Sequence, residues 1–205
     1  VERNRRHQIL TFYFHFKKFE LEDGRNLLIE VTKSLAQQLW TWADALGGDK
    51  PVMPDVVAVT HLHLGHIEGL GQFGTEVMGR HGTPLMASPA VHEVIERRGM
   101  NIFRPLGLDA VSGVRFIQVP HRDEHGDTHA VLLSGRERTL LFLPDHDTWG
   151  GTLAAHIAKD IRSWLAELKA DVALLDGTFW DGEELPGRDM SLIPHPTISE
   201  SLKLL

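Results

Sequence analysis

Cysteine is absent from this chain of 205 residues. Its absence excludes disulfides, thiolate metal sites and cysteine nucleophiles. Any bound metal must therefore take its protein ligands from His, Asp and Glu, and the chain contains 13 histidines.

Long apolar runs and an excess of positive charge are also missing. No apolar run approaches the ~20 residues that span a bilayer, and no small-residue cleavage site follows the N-terminal segment. We therefore expect no membrane partner and a cytoplasmic location. The chain carries 21 Lys+Arg against 28 Asp+Glu, a formal net charge of -7, which argues against a nucleic-acid partner held by bulk positive charge.

The hydrophobic pattern alternates between buried strands and amphipathic helices. It predicts strands at residues 9–16, 27–31, 55–60, 84–87, 114–120, 129–135, 138–144 and within 171–179. It predicts helices at residues 34–46, 67–81, 89–99 and 152–170, and a last helix that begins at Thr197. Residues 114–144 have the pattern of a meander. Together these elements predict an α/β sandwich whose mixed sheets are covered by helices.

Three histidines follow the strand at 55–60 in the segment HLHLGH. Residues two apart in an extended segment point the same way, so His61 and His63 can face one ion. A turn at Gly65 can bring His66 towards the same cavity. Imidazole suits Zn, Fe, Ni and Cu better than Mg or Ca. The alternative is a set of unrelated surface or capping histidines.

Two further strands end in residues that can bind a metal. His121 follows the strand at 114–120, and Asp145 follows the strand at 138–144 through Pro144. We predict that both are ligands, with Asp145 binding or bridging. His146 or Asp147 is an alternative working residue, and either Asp can instead cap a turn. Two other histidines, His125 and His129, are predicted to be solvated.

The last cluster pairs Asp176, at the end of a buried strand, with His195, just before the last helix. An Asp that fixes an imidazole and raises its pKa can make it a general acid. The alternative is that Asp176 caps a turn and that His195 binds a loop carbonyl. The residues alone favour neither interpretation.

These residues resemble the metallo-β-lactamase-fold superfamily, whose hallmark loop is His-x-His-x-Asp-His. The chain has THLHLGH, with Gly65 where Asp is usual. The phrases VPHRDEHGDT, FLPDHDTW, LLDGTFWDGEELPGRDM and IPHPTISES are similar to metallo-hydrolases that resemble coenzyme PQQ synthesis protein B.

The resemblance implies a four-layer αβ/βα sandwich with a metal site at the sheet edges. It implies that His61, His63 and His121 hold a first ion, and that His66 and Asp145 serve a second. Asp176 and His195 also resemble an acidic residue and a histidine of the ribonuclease Z and phosphodiesterase members, in which such a histidine assists the leaving group. We expect one domain over residues 1–205, incomplete at its C terminus, and a homodimer if a sheet edge is exposed.

Three functions are compatible with the sequence. The first is a hydrolase that uses one or two Zn²⁺ ions, or Fe or Mn, to activate water against an ester, lactone or phosphodiester. In it Asp145 orients the water, since Gly65 cannot, and His195 protonates the leaving group. The second is an iron-dependent oxygenase similar to the PQQ synthesis protein. The third is a metal-binding domain without catalysis, which Gly65 favours.

Overall fold

The computed structural model describes residues 18–21, 23–122, 124 and 126–205. The predicted strand at 9–16 lies outside these residues. The chain divides into two compact units, Val1–Ala110 and Val111–Leu205.

The first unit contains a five-stranded mixed sheet in the order β1-β2-β3-β4-β5. Its strands are β1 (Lys18–Glu20), β2 (Asn26–Ile29), β3 (Val56–Ala58), β4 (Thr83–Met86) and β5 (Phe103–Leu106). β1 and β2 form an antiparallel hairpin whose turn contains Gly24 at φ +80°, and the other neighbouring strands are parallel. All residues of β3 are buried, as expected of a central parallel strand.

The first unit has four α-helices among its described residues: α1 (Leu35–Ala45), α2 (Leu64–Ile67), α3 (Thr75–Met78) and α4 (Pro89–Arg97). α1 agrees with the helix predicted at 34–46. Ser34 occupies its N-cap position but makes no side-chain cap hydrogen bond. At the other end Gly47 has φ +68°, the left-handed conformation in which glycine ends a helix.

The single helix predicted at 67–81 is wrong. The structure contains α2, a 3₁₀ turn at Leu70–Phe73 and α3 in this segment. Gly74 is extended, with φ -67° and ψ 164°, and separates the 3₁₀ turn from α3. Gly69 cannot carry a side chain, because a Cβ atom would lie 2.1 Å from the Thr32 carbonyl oxygen. The glycines therefore divide a segment whose apolar spacing alone favours one helix.

The second unit contains a four-stranded mixed sheet in the order β6-β7-β8-β9. Its strands are β6 (Val114–Val119), β7 (Thr128–Ser134), β8 (Thr139–Phe142) and β9 (Val172–Leu174). β6, β7 and β8 form the predicted antiparallel meander, and β9 pairs parallel to β8. β9 was predicted to be buried, but Val172 is 45% exposed, because β9 is an outer strand of this sheet.

The helix predicted at 152–170 is also wrong, since two helices occupy it: α5 (Trp149–Ala155) and α6 (Ile161–Glu167). Ile157 has φ +54°, a conformation that an α-helix does not accommodate. Asp160 then begins α6 with a capping box, in which its side chain accepts from the Ser163 backbone N–H. The last helix, α7 (Ile198–Leu204), follows Thr197 as predicted, and the Thr197 side chain caps it by accepting from the Glu200 N–H.

Each unit has its own hydrophobic core. In the first, residues of β2, β3 and β4 pack with α1, α4 and the 3₁₀ turn that contains Phe73. In the second, β6, β7 and β8 pack with Trp149 of α5 and Trp164 of α6. Two mixed sheets, each packed against helices, confirm the predicted α/β class. No helix within the described residues is both long and apolar enough to cross a membrane.

Candidate metal centre

The segment that follows β3 carries three of the predicted ligands. Thr60 and His61 are buried, His63 is half-buried, and His66 is buried. His63 is the N-cap residue of α2, so the chain turns there, and the His66 N–H donates to the His63 carbonyl at 3.0 Å. The short helix α2 brings His66 close to His61, and the centroids of the two rings are 4.1 Å apart.

His61 and His63 face one another through ring nitrogens. His61 Nδ1 lies 2.9 Å from the Thr60 hydroxyl oxygen, and its Nε2 lies 3.1 Å from His63 Nδ1. When His61 donates its Nδ1–H to Thr60, its Nε2 keeps a lone pair. Two nitrogens on a tetrahedral zinc, each about 2.0–2.1 Å from the ion, lie about 3.3 Å apart. The separation of these two nitrogens is therefore close to that of two ligands of one ion.

A buried carboxylate that sequence reasoning missed lies beside this loop. Glu30 follows β2 directly and is completely buried. Its Oε1 accepts from the Thr60 N–H at 2.8 Å, and its Oε2 contacts His66 Nδ1. One ligand atom from each of Glu30, His61 and His66 lies within 4.8 Å of the others. The available signal was a single acid inside the apolar segment NLLIEV, because Glu is seldom fully buried without a partner.

Gly65 leaves an open position in the loop. A Cβ atom on Gly65 would meet no heavy atom within 4 Å, and the backbone of Gly65 is not in the left-handed region. A side chain therefore fits at this position. The glycine is not required by the local packing or backbone of the first unit.

In the second unit, His121 follows β6 and is 1% exposed. Its Nε2 lies 3.6 Å from Asp145 Oδ2, and its Nδ1 lies 3.3 Å from Asp147 Oδ1. The Thr128 hydroxyl donates to the His121 carbonyl at 3.1 Å, which fixes the backbone at this point. Two carboxylates therefore flank one buried imidazole, one at each ring nitrogen.

Asp145 lies in the segment between β8 and α5 and is buried, as is His146. The cap of α5 is Thr148, whose side chain accepts from the Gly151 N–H. His146 Nδ1 lies 2.8 Å from the Thr152 hydroxyl. Burial lowers the pKa of His146 from 6.5 to about 4, although the nearby Asp176 opposes the shift. His146 is therefore neutral at pH 7. Among the described residues Asp145, but not His146, belongs to a group whose ligand atoms lie within 4.8 Å of one another, so Asp145 is the better ligand candidate of the two.

The Asp176 and His195 side chains are in contact. His195 Nδ1 donates to Asp176 Oδ2 at 2.7 Å, while Asp176 Oδ1 accepts from the N–H and the hydroxyl of Thr178 at 3.0 and 2.7 Å. Asp176 thus also caps its own turn, so the two interpretations of this residue are compatible. Asp145, Asp176 and His195 offer ligand atoms within 4.8 Å of one another.

Two histidines outside these groups were expected to be solvated. His125 lies outside the described residues. His129 is only 5% exposed, so that prediction is wrong. It pairs with Gln118 within the antiparallel β6-β7 ladder, so His129 lies inside the sheet rather than in solvent.

The donor sets in both units fit a metal ion. Each combines imidazole nitrogens with carboxylate oxygens at buried or half-buried positions, the ligand types that bind Zn, Fe and Mn. Buried ionisable groups are stable when they are paired or coordinate a metal. The clusters therefore support a metal cofactor.

Comparisons with known proteins agree with this interpretation. Residues 25–205 match the family described as the beta-lactamase superfamily domain. No curated protein sequence is significantly similar to the chain.

Several solved structures share the fold. Zn²⁺-bound PqqB from Methylobacterium extorquens aligns with a TM-score of 0.61 and 16% identity, over 88% of this chain and 64% of its own. A diphosphatase from the PhnP family aligns with a TM-score of 0.54 and 19% identity, over 89% and 64%. A quorum-quenching N-acyl homoserine lactone lactonase aligns with a TM-score of 0.50 and 13% identity, over 78% and 77%. The chain thus spans less than two thirds of the length of the first two.

At these identities the structural likeness concerns the fold alone, which is the αβ/βα class that the resemblance implied. The family match covers most of the chain and includes all the residues of both clusters. The solved structures that are similar to this chain include PqqB and hydrolases such as a lactonase and a diphosphatase. This chain belongs to the metallo-β-lactamase-fold superfamily and is similar to PqqB.

Proposed function

We propose that this protein is a metal-dependent hydrolase that uses a metal-activated water against an ester, a lactone or a phosphodiester. The observation that carries the proposal is the separation of 3.1 Å between His61 Nε2 and His63 Nδ1, in the loop that follows a central strand. Two imidazoles held in this way favour a first-row transition metal.

We assign the ligands as the resemblance implies. His61, His63 and His121 would hold a first ion, and His66 and Asp145 would serve a second. Zn²⁺ is the proposed metal, as one or two ions, and Fe and Mn are the alternatives. The burial of His121 and Asp145 and their contact at 3.6 Å support this assignment.

A zinc ion bound by these residues would supply Lewis acidity and would lower the pKa of a water to about 7. The Asp145 carboxylate would orient that water, a role that Gly65 has no side chain to fill. His195, held through Nδ1 by Asp176 at 2.7 Å, directs its Nε2–H towards the leaving group when the imidazole is protonated. A proton delivered in this way removes the need to expel a strongly basic anion.

The substrate class is inferred from the chemistry of the site. Carboxylic esters, lactones and phosphodiesters all need an activated water, a polarised oxygen and a proton donor for the leaving group. The similarity in fold to a lactonase and to a diphosphatase supports testing all three classes.

The test is a hydrolysis panel of p-nitrophenyl esters, N-acyl homoserine lactones and bis-p-nitrophenyl phosphate, run on protein loaded with Zn²⁺, Mn²⁺ or Fe²⁺. We expect turnover of at least one class that is lost with a chelator and restored by the metal. The control is His81→Ala, which removes a histidine outside both clusters.

Two results would contradict the proposal. Iron in the purified protein, together with oxygen consumption and no hydrolysis, would favour the oxygenase. Tight metal binding without turnover of any class would favour a domain that binds metal but does not catalyse.

A further inference from the structure

Glu30 is a buried acid that contacts the histidine loop, and the proposed ligand set gives it no role. Its position follows from the sheet: β2 and β3 are parallel, with Ile29 opposite Ala58. The residue after β2 therefore lies beside the start of the loop that follows β3. The Glu30 N–H donates to the Ala58 carbonyl at 2.8 Å, so the backbone of Glu30 is fixed to the neighbouring strand.

Both carboxylate oxygens of Glu30 are directed at the histidine loop. Oε1 accepts from the Thr60 N–H, the residue directly before His61, and Oε2 contacts His66 Nδ1. The side chain of Glu30 is 0% exposed and that of His66 is 6% exposed. A carboxylate removed from water to this extent requires strong compensation, which a metal cation can provide.

The backbone of Glu30 supports a specialised role. Its φ is +67°, in the left-handed region, which costs a residue other than glycine on the order of 1–3 kcal/mol. Such conformations persist where the surrounding structure holds them, and they cluster at functional sites. Here the left-handed residue ends β2 and carries the acid that contacts His66.

We propose that Glu30 joins His66 as a ligand of the second cation, so that Glu30 supplies the carboxylate that Gly65 cannot supply. The inference rests on the proposed function, because this ion is the second of the hydrolase centre. The His61 ring lies 4.1 Å from the His66 ring, which makes the first and second sites neighbours. A carboxylate with an imidazole suits Zn²⁺, Mn²⁺ or Fe²⁺.

The experiment counts ions by elemental analysis after the protein is saturated with Zn²⁺ and exchanged into metal-free buffer, and it repeats the titration with Co²⁺ by visible absorption. We expect two ions in the starting protein and one in Glu30→Gln, which keeps an amide oxygen to accept from the Thr60 N–H. The matched control is Glu68→Gln, an exposed residue on the same loop, which keeps two ions.

A second pair of variants tests whether Glu30 and Gly65 are equivalent. A side chain fits at Gly65, so Glu30→Gln/Gly65→Asp regains the second ion. His66→Ala holds one ion, and adding Glu30→Gln to it removes no further ion, because both residues serve one site.

Three results would overturn the inference. They are a single ion in the starting protein, two ions in Glu30→Gln with unchanged affinity, and two ions in Glu30→Gln with affinity lowered about 10- to 100-fold. The last is the effect of a residue that only orients a ligand.

If Glu30→Gln lacks the native circular dichroism spectrum, Glu30→Asp replaces it, and an unchanged second-ion affinity in that variant overturns the inference. Failure of the proposed function is distinct, since it is absence of hydrolysis in protein that holds both ions.

Discussion

The two units bring their candidate ligands together in different ways. In the first, His61, His63 and His66 belong to one loop of six residues after β3, and only Glu30 comes from another strand end. In the second, His121, Asp145, Asp176 and His195 follow separate elements along 75 residues of chain. The first cluster is thus a product of local geometry, and the second depends on how strands and loops are arranged. Changes in the two clusters should therefore have different consequences.

The largest expected effect is a loss of kcat without a loss of metal, when the proposed proton donor of the second unit is removed. His195→Ala should lower kcat by about 10²–10⁴-fold on substrates with a basic leaving group, with KM and metal content little changed. Substrates that release p-nitrophenolate need no proton and should lose far less. Asp176→Asn should behave similarly, because the Nδ1 hydrogen bond holds the imidazole.

Steady-state kinetics across leaving groups of graded pKa measures this difference. An equal loss for every leaving group, or a loss of metal, would exclude His195 as the general acid.

The next effect tests the packing of the first unit's core next to the histidine loop. Phe73 is fully buried in the 3₁₀ turn after the loop, and its ring lies 5.7 Å from that of Phe103. Phe73→Ala should lower the free energy of unfolding by about 3–5 kcal/mol. Val77 is 65% exposed close by, and Val77→Ala should change that free energy by less than about 0.5 kcal/mol. Urea denaturation measures both, and equal effects would contradict the assigned packing.

A pH effect is expected from the second unit. Since His146 is buried and its pKa falls to about 4, the unfolded chain binds more protons than the folded one between pH 6.5 and pH 4. The stabilisation is complete above pH 6.5 and is lost as the pH falls towards 4, by roughly 3 kcal/mol.

Denaturation of metal-free protein across this range measures the loss. His146→Gln should have a shallower pH dependence. The same slope in both proteins would mean that other groups cause it.

The smallest effect concerns a helix of the first unit outside its cluster. Ser88 caps α4 by accepting from the Val91 N–H at 3.2 Å. Ser88→Ala should reduce the free energy of unfolding by about 1 kcal/mol without changing the metal content. Glu96→Ala, an exposed change on the same helix, should have almost no effect on stability. Thermal denaturation compares the two, and a loss of metal in Ser88→Ala would contradict the local account of the loop.

The contrast between a cluster built within one loop and a cluster built from separate elements also explains which features could be predicted from the sequence. The strand before His61 and the loop of histidines follow from local pattern, and the hydrophobic pattern also predicts most strands. The helices at 67–81 and 152–170 were wrong, because backbone conformation at Gly74 and Ile157 overrides apolar spacing. Glu30 was missed because its role arises from parallel pairing of β2 with β3, which spacing along one chain does not reveal.

The central claim is that the His61–His63 pair binds a metal that the protein needs for hydrolysis. Elemental analysis of the purified protein beside a His61→Ala/His63→Ala variant tests it most directly. We expect at least one zinc per chain in the starting protein, and loss of the first ion and of hydrolysis in the double variant, with the fold retained by circular dichroism. Absence of metal in the starting protein after supplementation, or equal metal in both proteins, would contradict the account.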